Sequence, residues 1–106
     1  MYGDVKTMKE RALYPKFHEK MKKADPNAWV YKIPDTFNLG GKKPFDFIVV
    51  CKGKPWAIEM KSKGEEPTLY QAYQLTDFVN AGGNSEVFRY GDDMDKLVQK
   101  ISKGGE

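Results

Sequence analysis

Residues 45–61 read FDFIVVCKGKPWAIEMK and carry the strongest structural signal in the sequence. Two segments rich in β-branched and aromatic residues, Phe45–Cys51 and Pro55–Lys61, are separated by a short turn with Gly53 at its centre. Apolar segments joined by a short glycine-containing turn are typical of a β-hairpin. Because both segments are apolar enough to be buried, we expect this hairpin to form the centre of a sheet.

Three ionisable residues interrupt these apolar segments. Asp46 lies in the first segment, and Glu59 and Lys61 lie in the second. Residues two apart in a strand share one face of the sheet, so Glu59 and Lys61 point the same way. In a hairpin centred on Gly53, the position opposite Asp46 is close to Glu59 or Met60. We therefore expect the three ionisable groups to converge.

A first helix is predicted from an N-cap at Asp4 to about Lys23, with Pro15 kinking it or restarting it. Glu10 lies on the apolar stripe of this helix, whereas Glu19 points roughly the opposite way. Glu10 is therefore the candidate inward-facing acid, and Glu19 is its rival. A glutamate favoured by the helix dipole is an ordinary alternative. The stripe consists of Glu10, Leu13, Phe17 and Met21.

The rest of the chain alternates between strands, helices and loops. A second helix is predicted from Pro67 or Thr68 to the Gly82-Gly83 stop, with Gln71 on its buried side. The apolar residues of that side are Leu75, Phe78 and Val79. The other predicted elements are a strand Ala28–Ile33, a loop Pro34–Pro44, a strand Glu86–Tyr90 and a last helix capped by Asp92 or Asp93. The order α-β-β-β-α-β-α predicts an α/β protein whose mixed central sheet is flanked by helices.

The charges predicted inside the sheet need compensation, because an isolated buried charge costs roughly several kcal/mol. A buried ion-pair network of Lys61 with Asp46 or Glu59, without catalysis, is one account. It leaves one carboxylate uncompensated, and Glu10 adds another. A divalent cation compensates all of them, and carboxylate oxygens without His or Cys suit Mg²⁺ or Mn²⁺. Such a site serves phosphodiester hydrolysis, with Lys61 orienting the nucleophile and stabilising charge.

Composition limits the size of the core, and the distribution of charge indicates a type of partner. We expect a single domain over residues 1–106, with 40% apolar residues supplying one modest core. The net charge of +3 is unevenly distributed, because residues 1–23 and 42–63 are basic and residues 64–106 are acidic. Two basic segments that meet in space would form a footprint for a polyanion, although scattered solubilising lysines are the alternative. The candidate phosphate contacts are Lys42, Lys43, Lys52, Lys54 and Lys63.

Cysteine and histidine usage excludes several site classes. The chain contains one Cys and one His, so a disulfide framework, a cysteine zinc site and a histidine metal cluster are excluded. The first residues carry no signal-peptide pattern, and no apolar run approaches the length of a membrane span. We therefore expect a protein of a reducing compartment such as the cytoplasm, neither secreted nor bound to a membrane.

The combined pattern resembles the PD-(D/E)XK nuclease superfamily. The residues that carry the resemblance are Asp46, the run Glu59-Met60-Lys61 after a short hairpin, a glutamate on the preceding helix and Gln71 on the following one. Within the superfamily, the chain looks like the VRR-NUC and Holliday-junction-resolvase-like branch, which includes small phage-encoded members. The chain departs from the motif because Phe45 precedes Asp46 and the proline is Pro44. The literal Pro34-Asp35 pair lies in a loop too far from Glu59, so we do not assign it to the motif.

The resemblance implies a role for each matched residue. Asp46 and Glu59 become metal ligands together with the backbone carbonyl of Met60, and Lys61 becomes the catalytic lysine. Glu10 becomes the helix-borne acid that reaches the metal directly or through water. Gln71 becomes the amide that orients a ligand or contacts the scissile region, although a helix-cap or core amide is the alternative for it.

The resemblance also implies an activity. It implies a restriction-endonuclease-like core and a metal-dependent endodeoxyribonuclease, a homodimer that cuts branched or structured DNA in the manner of a Holliday-junction resolvase. The alternative is a DNA-binding or scaffold protein with this fold and no cutting activity. An enzyme acting on RNA or on nucleotide fragments is a third possibility, because nothing in the sequence distinguishes a contact to a 2′-hydroxyl.

Overall fold

The computed structural model describes residues 5–35 and 42–104. The predicted N-cap Asp4 and most of the loop between Pro34 and Pro44 lie outside these residues. The order of elements confirms the predicted α-β-β-β-α-β-α arrangement. The elements are α1 (Val5–Ala24), β1 (Trp29–Lys32), β2 (Phe47–Cys51), β3 (Lys54–Lys61), α2 (Leu69–Asn80), β4 (Asn84–Arg89) and α3 (Met94–Ser102).

The four strands form one mixed sheet in the order β1-β2-β3-β4. The β1–β2 and β2–β3 pairs are antiparallel, and β3–β4 is parallel. Lys52 and Gly53 in the hairpin turn both have positive φ, at 52° and 79°. Two successive left-handed residues match the strand twist in a two-residue hairpin. This tight turn fixes the register in which Phe47 lies opposite Ile58.

The larger part of the core lies between the sheet and the two helices α1 and α3. The predicted stripe of α1 is buried at Leu13, Phe17 and Met21. Phe47 on β2 meets the ring of Phe17 edge to face, with 5.0 Å between the ring centroids. Helix α1 is continuous through Pro15, so the predicted restart there is wrong. The buried residues on either side of the proline hold both halves of the helix on one sheet, which offsets the lost backbone hydrogen bond.

Helix α2 covers the other face of the sheet and buries Leu75 against Ala57, Ile33 and Phe45. Thr68 caps this helix, as one of the two predicted starts. Val79 is 45% exposed, so its assignment to the buried stripe is wrong. Strand β4 begins two residues before the predicted Glu86, because parallel pairing with β3 starts at Asn84. Within the described residues, no helix is long and apolar enough to cross a membrane.

Candidate metal centre

Asp46 lies immediately before β2 and is held by two backbone groups of β3. Its backbone N–H donates to the carbonyl of Ile58 at 3.0 Å, which places Asp46 opposite Glu59. Its carboxylate Oδ2 accepts the backbone N–H of Met60 at 2.8 Å. The side chain is buried, so the carboxylate is fixed by hydrogen bonds that follow from the strand register. Of the two positions predicted to oppose Asp46, Glu59 is the one that lies opposite it, and Met60 donates its backbone N–H to the Asp46 carboxylate.

Glu59 is a buried acid with one carboxylate oxygen that lacks a partner in the described part of the chain. The residue is 1% exposed, and its Oε1 has no hydrogen-bond partner among the described residues. Its Oε2 lies 3.7 Å from Nζ of Lys61. Burial, followed by the negative charge of Asp46, raises the pKa of Glu59 to about 8. A buried, unpartnered carboxylate oxygen is costly, so this oxygen requires a proton or a cation.

Glu10 completes a group of three acids. One carboxylate oxygen each from Glu10, Asp46 and Glu59 lies within 4.8 Å of the other two. Burial and the charge of Asp46 also raise the pKa of Glu10. Its rival Glu19 is exposed. Asp46, Glu59 and Lys61, the three groups predicted to converge, therefore lie close together, and α1 adds Glu10, the predicted inward-facing acid.

Two further side chains contact Asp46, namely Tyr14, which was not predicted as a site residue, and Lys43, whose pairing with Asp46 was not predicted. The hydroxyl of Tyr14 donates to Oδ1 of Asp46 at 3.3 Å, and Nζ of Lys43 lies 2.7 Å from the same oxygen. Burial and the charge of Asp46 raise the pKa of Tyr14 above its ordinary value. Tyr14 lies four residues after Glu10, one helical turn along the same face of α1, and this spacing could have identified it. Lys43 had been predicted as a phosphate contact.

Lys43 also binds a second acid outside the cluster. Its Nζ donates to Oδ1 of Asp35 at 2.6 Å. Burial alone lowers the pKa of Lys43, but the hydrogen bonds to Asp35 and Asp46 raise it overall. Asp35 is also paired with Arg11 at 2.9 Å and is not one of the three clustered acids. Asp35 is thus an ion-pair partner of Lys43 rather than a member of the carboxylate group.

Gln71 lies in the first turn of α2, where it forms a capping box with Thr68. Its side-chain oxygen accepts the backbone N–H of Thr68 at 3.0 Å, and its own N–H donates to the Thr68 hydroxyl at 3.2 Å. This is the cap that the sequence left open as the alternative for Gln71. Its assignment as an active-site amide stays a prediction.

The other predicted phosphate contacts differ in their surroundings. Lys52 donates to the carbonyl of Ser102 at 2.6 Å and lies 3.5 Å from Asp25. Lys42, Lys54 and Lys63 are exposed. These exposed lysines precede β2, begin β3 and follow β3, and their positive charge is available to a polyanion. Lys43, by contrast, is paired with carboxylates.

A solved structure described as a VRR_NUC domain has the same fold. It superposes with a TM-score of 0.67 at 21% sequence identity, covering 92% of this chain and 98% of its own. The chain has the VRR_NUC fold. The α/β architecture implied by the sequence resemblance is therefore confirmed over nearly its whole length. No family model and no curated protein matches the chain.

The acid cluster lies at the open end of the β2–β3 hairpin, away from the Lys52-Gly53 turn, where α1 contributes Glu10. The donors there are carboxylate oxygens, which favour hard divalent cations such as Mg²⁺ and Mn²⁺ over softer metals. Such a cation would bind the buried Oε1 of Glu59, for which residues 5–35 and 42–104 supply no hydrogen-bond partner. The residues present therefore fit a divalent cation.

The free energy of unfolding of the metal-free protein is expected to fall as the pH rises from 4.5 to about 8, because over this range the unfolded chain has released the Glu59 proton that the folded protein keeps. A carboxyl group whose pKa is about 8 in the folded state, against 4.5 ordinarily, binds a proton more tightly when folded. Its stabilising contribution is present below pH 4.5 and is lost by pH 8. Each pKa unit corresponds to about 1.4 kcal/mol, so we expect a loss on the order of a few kcal/mol.

Urea unfolding in EDTA at pH 5, 6.5 and 8 measures this loss. Glu59→Gln removes the titrating group and should flatten the decline, whereas the exposed Glu19→Gln should keep it. An equal decline in all three proteins would contradict the assignment to Glu59.

Proposed function

We propose that this protein is a metal-dependent endonuclease that hydrolyses DNA phosphodiester bonds. The observation that carries the proposal is the buried Oε1 of Glu59, which has no hydrogen-bond partner in the described part of the chain and lies beside Glu10, Asp46 and Lys61. Its likeness in fold to a VRR_NUC domain supports the proposal. So does the resemblance of the pattern Asp46, Glu59 and Lys61 to PD-(D/E)XK nucleases.

Four residues are proposed to hold Mg²⁺ or Mn²⁺. They are Asp46, Glu59 and Glu10 through carboxylate oxygens and Met60 through its backbone carbonyl. When bound, the ion supplies Lewis acidity that neutralises charge on the phosphate and lowers the pKa of an attacking water. The hydrogen bonds from Met60 and Tyr14 fix the orientation of the Asp46 carboxylate before any ligand arrives. This preorganisation reduces the rearrangement that binding requires.

Lys61 is proposed as the catalytic lysine. Its side chain is 12% exposed and its Nζ lies 3.7 Å from Oε2 of Glu59, so the ammonium is directed at the acid cluster and away from bulk solvent. Three N–H donors at this place can orient a water molecule and bind a phosphate oxygen. We assign Lys61 to orienting the nucleophile and stabilising developing charge. Gln71 is proposed to assist from the start of α2, where its cap hydrogen bonds hold it in place.

DNA is the proposed substrate because basic segments surround the acid cluster in the sequence. Residues 1–23 contain Glu10, and residues 42–63 contain Asp46, Glu59 and Lys61; each segment has a surplus of positive charge. Exposed lysines in the second segment are proposed to contact phosphates without reading sequence. Selectivity for branched or structured DNA is proposed on the resemblance to the Holliday-junction-resolvase-like branch. A homodimer is proposed on the same resemblance.

A cleavage panel tests the proposed function. Wild-type protein and Asp46→Ala are incubated with Mg²⁺ or Mn²⁺ and with four-way junction, flap, single-stranded and plain duplex DNA. We expect the wild type to cut at least one structured DNA and Asp46→Ala to cut none. If neither protein cuts any DNA while both bind it in a salt-dependent, metal-independent way, the protein is a DNA-binding or scaffold protein. Adding a matched RNA junction distinguishes DNA from RNA as the substrate.

Glu10 and Glu19 provide a matched pair for testing which acid of α1 serves the site. Glu10→Gln should weaken Mn²⁺ binding about tenfold or more, because it removes a carboxylate from the cluster. Glu19→Gln makes the same chemical change on an exposed position of the same helix and should leave the affinity within about twofold. Calorimetric titration of both variants with Mn²⁺ measures the difference. Equal affinities would remove Glu10 from the proposed ligand set.

A further inference from the structure

Lys43 joins the acid cluster to an acid outside it. Its Nζ lies 2.7 Å from Oδ1 of Asp46 and 2.6 Å from Oδ1 of Asp35. The Lys43 side chain is 17% exposed, so these two contacts are shielded from solvent more than an ordinary surface ion pair. One ammonium group is thus shared between a member of the cluster and an acid that is not a member.

The two oxygens of Asp46 are used differently. Oδ2 accepts the backbone N–H of Met60, a hydrogen bond fixed by the hairpin. Oδ1 accepts from two side chains, Tyr14 and Lys43, neither of which is fixed by strand pairing. Oδ1 is therefore the oxygen that can exchange partners without disturbing the sheet.

The charge of Lys43 acts on the whole cluster. Burial and Asp46 raise the pKa of both Glu10 and Glu59, and the ammonium groups of Lys61 and Lys43 oppose that rise. Lys43 thus compensates part of the negative charge that a bound cation would compensate. A divalent ion and an ammonium group at the same carboxylate repel each other, because like charges a few ångströms apart interact strongly where water is partly excluded.

Asp35 is a second anionic partner that Lys43 already contacts. Asp35 is held by Arg11 at 2.9 Å and by Lys32 at 3.6 Å. Lys43 can therefore give up Asp46 without losing an anionic partner.

We propose that Lys43 is a built-in cation that occupies Asp46 in the metal-free protein and shifts to Asp35 when a divalent ion binds. Lys43 thereby sets the metal affinity of the site, and Asp35 is the acceptor that permits the exchange. This inference rests on the proposed metal centre.

Calorimetric titration with Mn²⁺ tests the role of Lys43. Lys43→Gln removes the competing charge and should tighten Mn²⁺ binding about tenfold. Lys43→Arg keeps the charge and should stay within about threefold of the wild type. Lys103→Gln is the charge-matched control, because this exposed lysine caps α3 at the hairpin-turn end of the sheet, and its affinity should not change. Circular dichroism establishes that each variant is folded at the titration temperature.

A double-mutant cycle tests the role of Asp35. Asp35→Asn leaves Lys43 with Asp46 as its remaining anionic partner among the described residues, so Mn²⁺ binding should weaken about threefold. In the Lys43→Gln background the same substitution should have little effect, because Asp35 acts through Lys43. An equal weakening in both backgrounds would overturn the exchange, because Asp35 would then act through its charge alone.

The outcomes separate this inference from the proposed function. Wild-type protein that binds no Mn²⁺ would overturn both. Wild-type protein that binds Mn²⁺, with Lys43→Gln binding it equally or more weakly, would overturn the role of Lys43 and leave the metal centre standing. Tighter binding by Lys43→Gln alone, with the wild-type affinity kept in Lys43→Arg, supports the exchange.

Discussion

Glu59→Gln should reduce DNA hydrolysis by about a thousandfold or more in the presence of Mg²⁺. The substitution keeps the size of the side chain and removes its charge. It also places an amide where Oε1 is buried and has no partner among the described residues. An amide is a poor ligand for Mg²⁺ compared with a carboxylate, and the loss of negative charge weakens the attraction of the cluster for any divalent ion. Single-turnover cleavage of the best substrate from the panel measures the effect.

Glu66→Gln is the control for this prediction, because Glu66 is exposed and pairs with Arg89 outside the acid cluster. Its cleavage rate should stay within about threefold of the wild type. The metal-free Glu59→Gln protein should also be at least as stable as the wild type at pH 8, so lost activity will not reflect unfolding. A Glu59→Gln protein that keeps a tenth or more of the wild-type rate would contradict the role given to Glu59.

Phe47→Ala should lower the free energy of unfolding by about 3–5 kcal/mol. Phe47 is 1% exposed and packs edge to face on Phe17 at 5.0 Å and on Tyr14 at 5.9 Å. Its removal leaves a cavity between β2 and α1, the two elements that hold Asp46 and Glu10 together. Urea unfolding at constant pH measures the loss.

Val79→Ala serves as the control for packing, because Val79 is largely exposed on α2. Its effect should be below about 0.5 kcal/mol. A loss of less than about 1 kcal/mol for Phe47→Ala would show that the α1–β2 contact is not a main part of the core.

The hairpin could be predicted from the sequence because its signals are local. The residue types of Phe45–Cys51 and Pro55–Lys61 indicated strands, and the short turn restricted the register to two adjacent possibilities for Asp46. The inward position of Glu10 followed from the spacing of apolar residues on α1, since a helix places residues three and four apart on one side. These local rules were sufficient to predict that Asp46, Glu59 and Lys61 converge and that Glu10 faces inward.

The partners of Asp46 could not be predicted in the same way. Lys43 reaches Asp35 only after β1 and β2 pair and bring the two sides of the intervening loop together. Asp46 lies only three residues from Lys43, but the segment between them is irregular, so no helix or strand period specifies that contact. The capping box of Gln71 was recognisable in principle from Thr68 three residues before it, but the apolar stripe of α2 favoured a buried position instead. At Pro15, tertiary packing overrode a local preference, because both halves of α1 pack on the same sheet.

Calorimetric titration of the wild-type protein with Mn²⁺, beside Asp46→Ala, measures whether Glu10, Asp46 and Glu59 form a divalent metal centre. We expect saturable Mn²⁺ binding by the wild type and none by Asp46→Ala at the same protein concentration. Absence of binding by the wild type, or equal binding by the two proteins, would contradict this assignment.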